Sequence, residues 1–282
     1  MFRLRSLSIA TVAVMSTACI TFQEQTISYR HDMESDRLLI YSTYVGIHGD
    51  GHFGWSDDDD PGGLTLEEQD ELTSAALGQQ LYLFDNWIPV LDMEEVRRQL
   101  RSPAGSFVSE LDRLADKARR ELWNVLVDNV TISGGPFYLD PANRLCAVQR
   151  VTVTNLSAVV SALNASWQPY VRSVAVDDPD WASRAVTIEP VLTFTGNRLT
   201  IRYPGYADEH ETSLGGVVGV LNTGGIVTLV VGRSETSRVT ITKTVETDYL
   251  PNAVGFVRQR VGITKAFDPG LDADRFFAAA RR

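Results

Sequence analysis

The period of the hydrophobic pattern changes along this 282-residue chain from two to between three and four and back again, and that order constrains the fold more than any other feature. From residue 21 to 47 two β-rich runs flank the polar DMESD, which predicts a hairpin with a loop longer than two residues. Side chains alternate along a strand, so Ile27, Tyr29 and His31 share one face and Thr26, Ser28 and Arg30 the other. From Leu64 the spacing becomes helical. LTLEEQDELTSAALGQQLYLF places Leu66, Leu72, Ala75, Ala76 and Leu83 near one face, and DMEEVRRQLR from Asp92 offers a second short helix. In the longest helical stretch Phe107, Leu111, Leu114, Ala118, Leu122 and Val125 form one apolar stripe, with Glu110, Asp116, Lys117, Arg119, Arg120 and Glu121 mostly on the wet side. Ser102 with Pro103 marks its start, or Ser106 if Gly105 delays it.

After Gly134 and Gly135 the period returns to two. FYLDPANRLCAVQRVTV predicts a second hairpin turning at residues 140–143, and Asn155 is expected to cap a helix over LSAVVSALNASWQPYVRS that Pro169 ends or kinks. The DDPDW around Asp178 reads as a loop. RAVTIEPVLTFTGNRLTIRYPG reads as strands turning at Gly196 and Asn197, with Pro190 as a break. The uncharged LGGVVGVLNTGGIVTLVVG holds six glycines around Asn222 and Thr223, which favours a buried turn entering a strand over a membrane span. SRVTITKTVE gives a third hairpin, and DADRFFAAARR a last helix with Asp272 or Asp274 at its start. The expected architecture is α+β, an antiparallel sheet built from hairpins with helices packed on one face, as a single domain over residues 19–282 with a subdivision point near 130.

The charge balance narrows the partners. A net charge of −10 argues against nucleic acid, whose phosphates demand a basic face, and against attachment to anionic lipid by charge alone. An apolar fraction of 44% is ordinary for a soluble globular body with a core. The first residues read differently: Arg3 and Arg5 precede the apolar run 7–15 and then small residues, the three-part layout of a secretory signal peptide over 1–18. At Ser16, Thr17, Ala18 and Cys19 the chain resembles a bacterial lipoprotein signal, with Ser16 where such signals usually carry Leu. The resemblance implies cleavage before Cys19, lipid on that cysteine, export, and membrane attachment through the lipid. By the habits of that family, Ile20 after the cysteine implies the outer membrane, the other exported destinations being periplasmic or secreted. Removal of Arg3 and Arg5 takes the charge from −10 to −12. Of two cysteines, Cys146 is then a single buried thiol, or a disulfide partner of Cys19 if lipid is absent.

Two constellations carry possible metal chemistry. DDDDPGGLTLEE over 57–68 resembles an EF-hand loop: Asp57 takes its first position, Asp59 its third, Gly62 its sixth and Glu68 its twelfth, with Pro61 where the pattern has an oxygen ligand. The resemblance implies Ca²⁺ at Asp57, Asp59 and Glu68. The same letters fit an acidic loop followed by a capping box between Thr65 and Glu68. Upstream, His48, Asp50 and His52 alternate with glycines, so that in an extended segment all three project to one side, a disposition suited to Zn²⁺. A surface loop accounts for the same residues. His31, and His210 with its acidic neighbours, form no metalloprotease helix pattern, and neither a nucleophile elbow nor a phosphate loop is present. Tyr82, Phe84 and Trp87 cluster as a loop aromatic group suited to the core or to a protein or glycan partner. The reading is a bacterial cell-envelope lipoprotein acting as a binding or structural module rather than an enzyme. The alternative is a metal-dependent enzyme, or a calcium- or metal-stabilised adhesion module, using residues 48–68.

Overall fold

The computed structural model of the protein describes residues 20–49, 64, 66–77, 80–81, 91–103, 109–175, 178–196, 198–204, 214–215, 217–223, 226–231, 237–242 and 252–279. The signal segment with Cys19, Asp50, His52, Asp57 to Asp60, Thr65, Leu83, Phe107, His210 and the aromatic group at 82–87 lie outside the described residues.

The first half runs β1 (Ile20–Asp32), β2 (Arg37–Gly49), α1 (Leu66–Leu77), β3 (Gln80–Leu81), β4 (Leu91–Asp92), α2 (Met93–Arg101), α3 (Glu110–Asn129), β5 (Val130–Gly134), β6 (Phe137–Leu139) and β7 (Leu145–Val153). There follow α4 (Leu156–Val174), α5 (Pro179–Ala185), β8 (Leu192–Thr195), β9 (Arg198–Pro204), β10 (Leu214–Gly215), β11 (Val217–Thr223), β12 (Ile226–Val231) and β13 (Ser237–Thr242). The chain then forms α6 (Asn252–Arg260), β14 (Ile263–Thr264) and α7 (Pro269–Ala279).

The fold is α+β. An eight-stranded sheet has the order β10-β13-β1-β2-β7-β6-β14, with β5 also on β7, and a four-stranded sheet has the order β11-β12-β9-β8. Only β14 with β6 is parallel; the other described pairs are antiparallel. The first hairpin forms as expected, with Asp32 opposite Arg37 across loop 33–36. The second turns where Asp140 accepts from the Ala142 and Arg144 amides and Asn143 takes a left-handed φ of 61°. The expected third hairpin is different. Among the described residues β13 pairs with β1 and β10, not with β12, and β12 pairs antiparallel with β11. The described parts of the glycine-rich stretch are therefore strand on both sides of residues 224–225, and the pairing of β13 with β1 is a non-local choice that periodicity does not encode.

Alternation along β2 and β7 divides the core. Leu38, Ile40, Val151 and Val153 face one way, against Met93 of α2, Val125 and Leu126 of α3, and Leu156 and Val159 of α4. Tyr41, Cys146 and Val148 face the other way, against Phe276 and Phe277 of α7. Helices thus cover both faces of the central strands, α7 adding the second layer. That helix is fastened by a polar latch: Tyr41 Oη donates to Asp272 Oδ2 at 2.8 Å, and Arg150 donates from Nε at 3.1 Å and also from Nη2. Burial, then the adjacent Asp272, pushes the Tyr41 hydroxyl well above its ordinary range. Asp272 or Asp274 was expected at the start of α7; Asp272 does lie in its first turn, but the residue that caps it is Asp268, accepting from the Gly270 and Leu271 amides.

Local rules were displaced elsewhere by partners distant in sequence. Asn155 precedes α4 in a left-handed conformation and makes no side-chain cap; Asp36, in the first hairpin loop, accepts from the Ser157 amide at 3.1 Å instead. Pro169 lies inside α4, which runs on to Val174. The DDPDW segment starts a short helix, because Asp178 Oδ1 accepts from the Trp181 amide at 2.9 Å. Helix α3 begins at Ser109, later than expected, where Ser109 and Asp112 form a reciprocal capping box. Asp116, expected in water, is buried between Arg119 and Arg120, and Arg120 also reaches the Ser102 carbonyl at 3.1 Å. Pairing with two guanidinium groups offsets the desolvation of that carboxylate and ties α3 to the end of α2.

Candidate functional site

Of the two sequence-derived metal sets, His48 and Glu68 are the members among the described residues, and both lie at the end of β2. His48 is 1% exposed and Glu68 2% exposed. A Cβ built on Gly49 would collide with Glu68 Oε1 and would stand 2.7 Å from Leu64 Cδ2, so Glu68 packs on the Gly49 side of the strand. Adjacent strand residues project to opposite sides, which puts the His48 imidazole on the other side from Glu68. Leu66, expected on the buried face of α1, is 78% exposed, while Glu68 and Leu72 point inward. Glu68 is thus a buried carboxylate against a glycine backbone, which explains why residue 49 has no side chain. Among the described residues no three His, Cys, Asp or Glu side chains gather as a metal requires.

His48 has its own anchor. Its Nδ1 lies 2.8 Å from the Gly46 carbonyl, which accepts a hydrogen bond and so fixes the proton on Nδ1 in the neutral ring. Gly46 has φ 71°, and a Cβ there would stand 2.5 Å from Gln23 Oε1. His31 is fixed similarly, Nδ1 lying 2.7 Å from the Gly196 carbonyl and the ring resting on Phe194. It fastens the β8–β9 turn to β1.

In the middle of the sheet the register assembles a polar group that sequence reading missed. Gln25 lies opposite Tyr44, and Ser42 opposite Gln149, all on one face and all buried. Tyr44 Oη donates to Gln149 Oε1 at 2.9 Å. Burial drives the Tyr44 hydroxyl well above its ordinary range, against the pull of Ser42 and Gln25. A neutral amide and hydroxyl network of this kind specifies strand register; it presents no charged acid, base or activated nucleophile. The cavity beside it, between Phe22, Leu72 and Phe137, measures about 30 Å³. That is room for about two water molecules. Cys146 is free and fully buried, and burial pushes its thiol up to about 11, which keeps it unreactive at neutral pH.

The larger concavity is elsewhere. Between α3 and α4 a groove of about 320 Å³ is lined by Leu111, Leu114, Ala118, Ala165 and Pro169, with Lys117, Glu121 and Arg172 also at its walls. Leu111 and Leu114 are 41% and 42% exposed, although they belong to the stripe expected to be core. The volume reaches the lower range of small-molecule sites. From Leu111 to Glu121 the α3 wall runs for about 15 Å at the helical rise. Arg172 and Pro169 carried no signal in the sequence beyond the effect of the proline on its own helix. Comparison with protein-family descriptions, curated proteins and solved structures finds no match to the chain.

Proposed function

We propose that this chain is an exported bacterial cell-envelope protein, tethered by lipid on Cys19 and most at home in the outer membrane, whose α+β body is a binding module. The observation that carries the binding half is the open α3–α4 groove with its partly exposed Leu111 and Leu114. The tether is supported by the basic, apolar and small-residue layout ending at Ser16, Thr17, Ala18 and Cys19. Strand β1 begins at Ile20, so an anchor on Cys19 would hold the sheet at the membrane with no intervening spacer. Among the described residues no helix is long and apolar enough to cross a membrane. Mass spectrometry of the mature N-terminus tests the tether: a diacylglycerol adduct on Cys19 is expected, and an unmodified Cys19 overturns it.

A second reading gives the chain a metal, as a metal-dependent enzyme or a calcium- or zinc-stabilised adhesion module using residues 48–68. The observation that favours it is the His48 tie to the Gly46 carbonyl, because metal-binding histidines commonly donate their other ring N–H to such an acceptor. With Glu68 across the strand, this reading assigns His48, Asp50 and His52 to one ion, and Asp57, Asp59 and Glu68 to another. Metal analysis with thermal melts in EDTA decides it. Bound metal and a lowered Tm are expected; no metal and an unchanged Tm overturn it.

A further inference from the structure

The α3–α4 groove offers three kinds of recognition in one place. Its apolar wall is Leu111, Leu114 and Ala118. Its charge is Arg172, which pairs with no acidic side chain among the described residues, whereas Lys117 is already within 3.8 Å of Glu121. Its third element comes from the helix interior: Pro169 has no N–H, so the Ala165 carbonyl one turn earlier loses its helical donor, and both residues line the groove. An apolar strip, a guanidinium with no acidic partner among the described residues and an under-donated carbonyl together specify an elongated ligand with an apolar chain, an anionic head and an N–H close to that head. On a chain of net charge −10 an anion needs such a local cation to bind at all.

We propose that this groove binds an anionic amphiphile of the N-acyl amino acid class, its chain along Leu111 and Leu114, its carboxylate at Arg172 and its amide N–H on the Ala165 carbonyl. The proposal rests on the body being a binding module and is independent of the Cys19 tether. Binding creates no covalent bond and moves no proton.

The test is isothermal titration calorimetry of the full mature protein with N-dodecanoylglycine below its micelle concentration, compared with dodecanoate, which has a similar chain and carboxylate but no N–H. Saturable 1:1 binding is expected, at least fivefold tighter for N-dodecanoylglycine. Arg172→Gln should weaken both ligands about tenfold, the loss of one charge-assisted contact. Pro169→Ala restores an N–H to the Ala165 carbonyl and should remove the fivefold preference while leaving dodecanoate affinity unchanged. Ala118→Trp should fill the groove and abolish binding, its circular dichroism reporting whether the fold is kept; if that variant does not fold, Arg172→Gln and Pro169→Ala still decide the matter. No saturable binding to the wild type, or a preference that survives Pro169→Ala, overturns the proposal. Saturable binding that Ala118→Trp and Arg172→Gln leave intact also overturns it, yet keeps the binding-module reading by moving the site elsewhere.

Discussion

Helix α3 carries one apolar stripe and puts its two halves to different uses. Toward its C-terminus Leu122 and Trp123 are buried, and Val125 and Leu126 pack on the sheet beneath. Toward its N-terminus Leu111 and Leu114, at the same helical spacing, stand exposed on the wall of a groove against α4. The comparison teaches that period reports which face is apolar and says nothing of what covers it. Covering is decided by the neighbours: α2 and the sheet reach the far half, while near the start the facing wall is Ala165, Pro169 and Arg172, too small or too polar to fill the gap.

Mutations can break this contrast. Leu122→Ala should destabilise the protein by about 3 kcal/mol in a urea melt, since it removes a core side chain and leaves a cavity. A loss under about 1 kcal/mol would mean that the two halves are alike. The latch on the opposite face of the sheet comes next. Asp272→Ala should cost about 2 kcal/mol by leaving Arg150 and Tyr41 without their shared acceptor, and should raise proteolysis of α7 before the rest of the chain unfolds. Alkaline pH should act through the same layer. The folded Cys146 thiol titrates near 11 against an ordinary 9.0, so the unfolded chain loses that proton first. Stability is therefore full below pH 9 and falls as pH rises toward 11, by about 2 kcal/mol, with the raised Tyr41 adding to the fall above pH 10. Cys146→Ala should remove the part of that slope between pH 9 and 11. Leu114→Ala should be the smallest effect, under about 1 kcal/mol, because the residue keeps 42% of its surface in water and alanine is the better helix former.

How much was legible followed the range of the interaction. The first two hairpins and the β8–β9 turn could be read because loop residues such as Asp140, Asn143 and Gly196 carry their own turn chemistry. The helical stripe of α3 could be read as well. What could not be read depended on partners far along the chain: Asp36 capping α4, Asp272 spent on Arg150 instead of a helix cap, Asp116 drawn inward by two arginines, and β13 pairing with β1. Helix α6 escaped because Asn252–Arg260 is short and only weakly amphipathic, yet it supplies Ala253 and Val257 to the core. Of the candidate metal ligands, His48 and Glu68 fall among the described residues, and that the Glu68 carboxylate packs on Gly49 with the His48 imidazole on the other side of the strand is a matter of tertiary packing that spacing does not carry. The groove stayed hidden because its walls are ordinary residues whose meaning comes only from being left uncovered.

The most direct measurement follows the leucine methyl signals of the full mature protein by NMR during a titration with N-dodecanoylglycine. The two halves of α3 should then separate: Leu111 and Leu114 shift along a saturating curve while Leu122 stays in place. Shifts confined to other leucines, or equal shifts at Leu114 and Leu122, would contradict the division of α3 into a core half and a binding half.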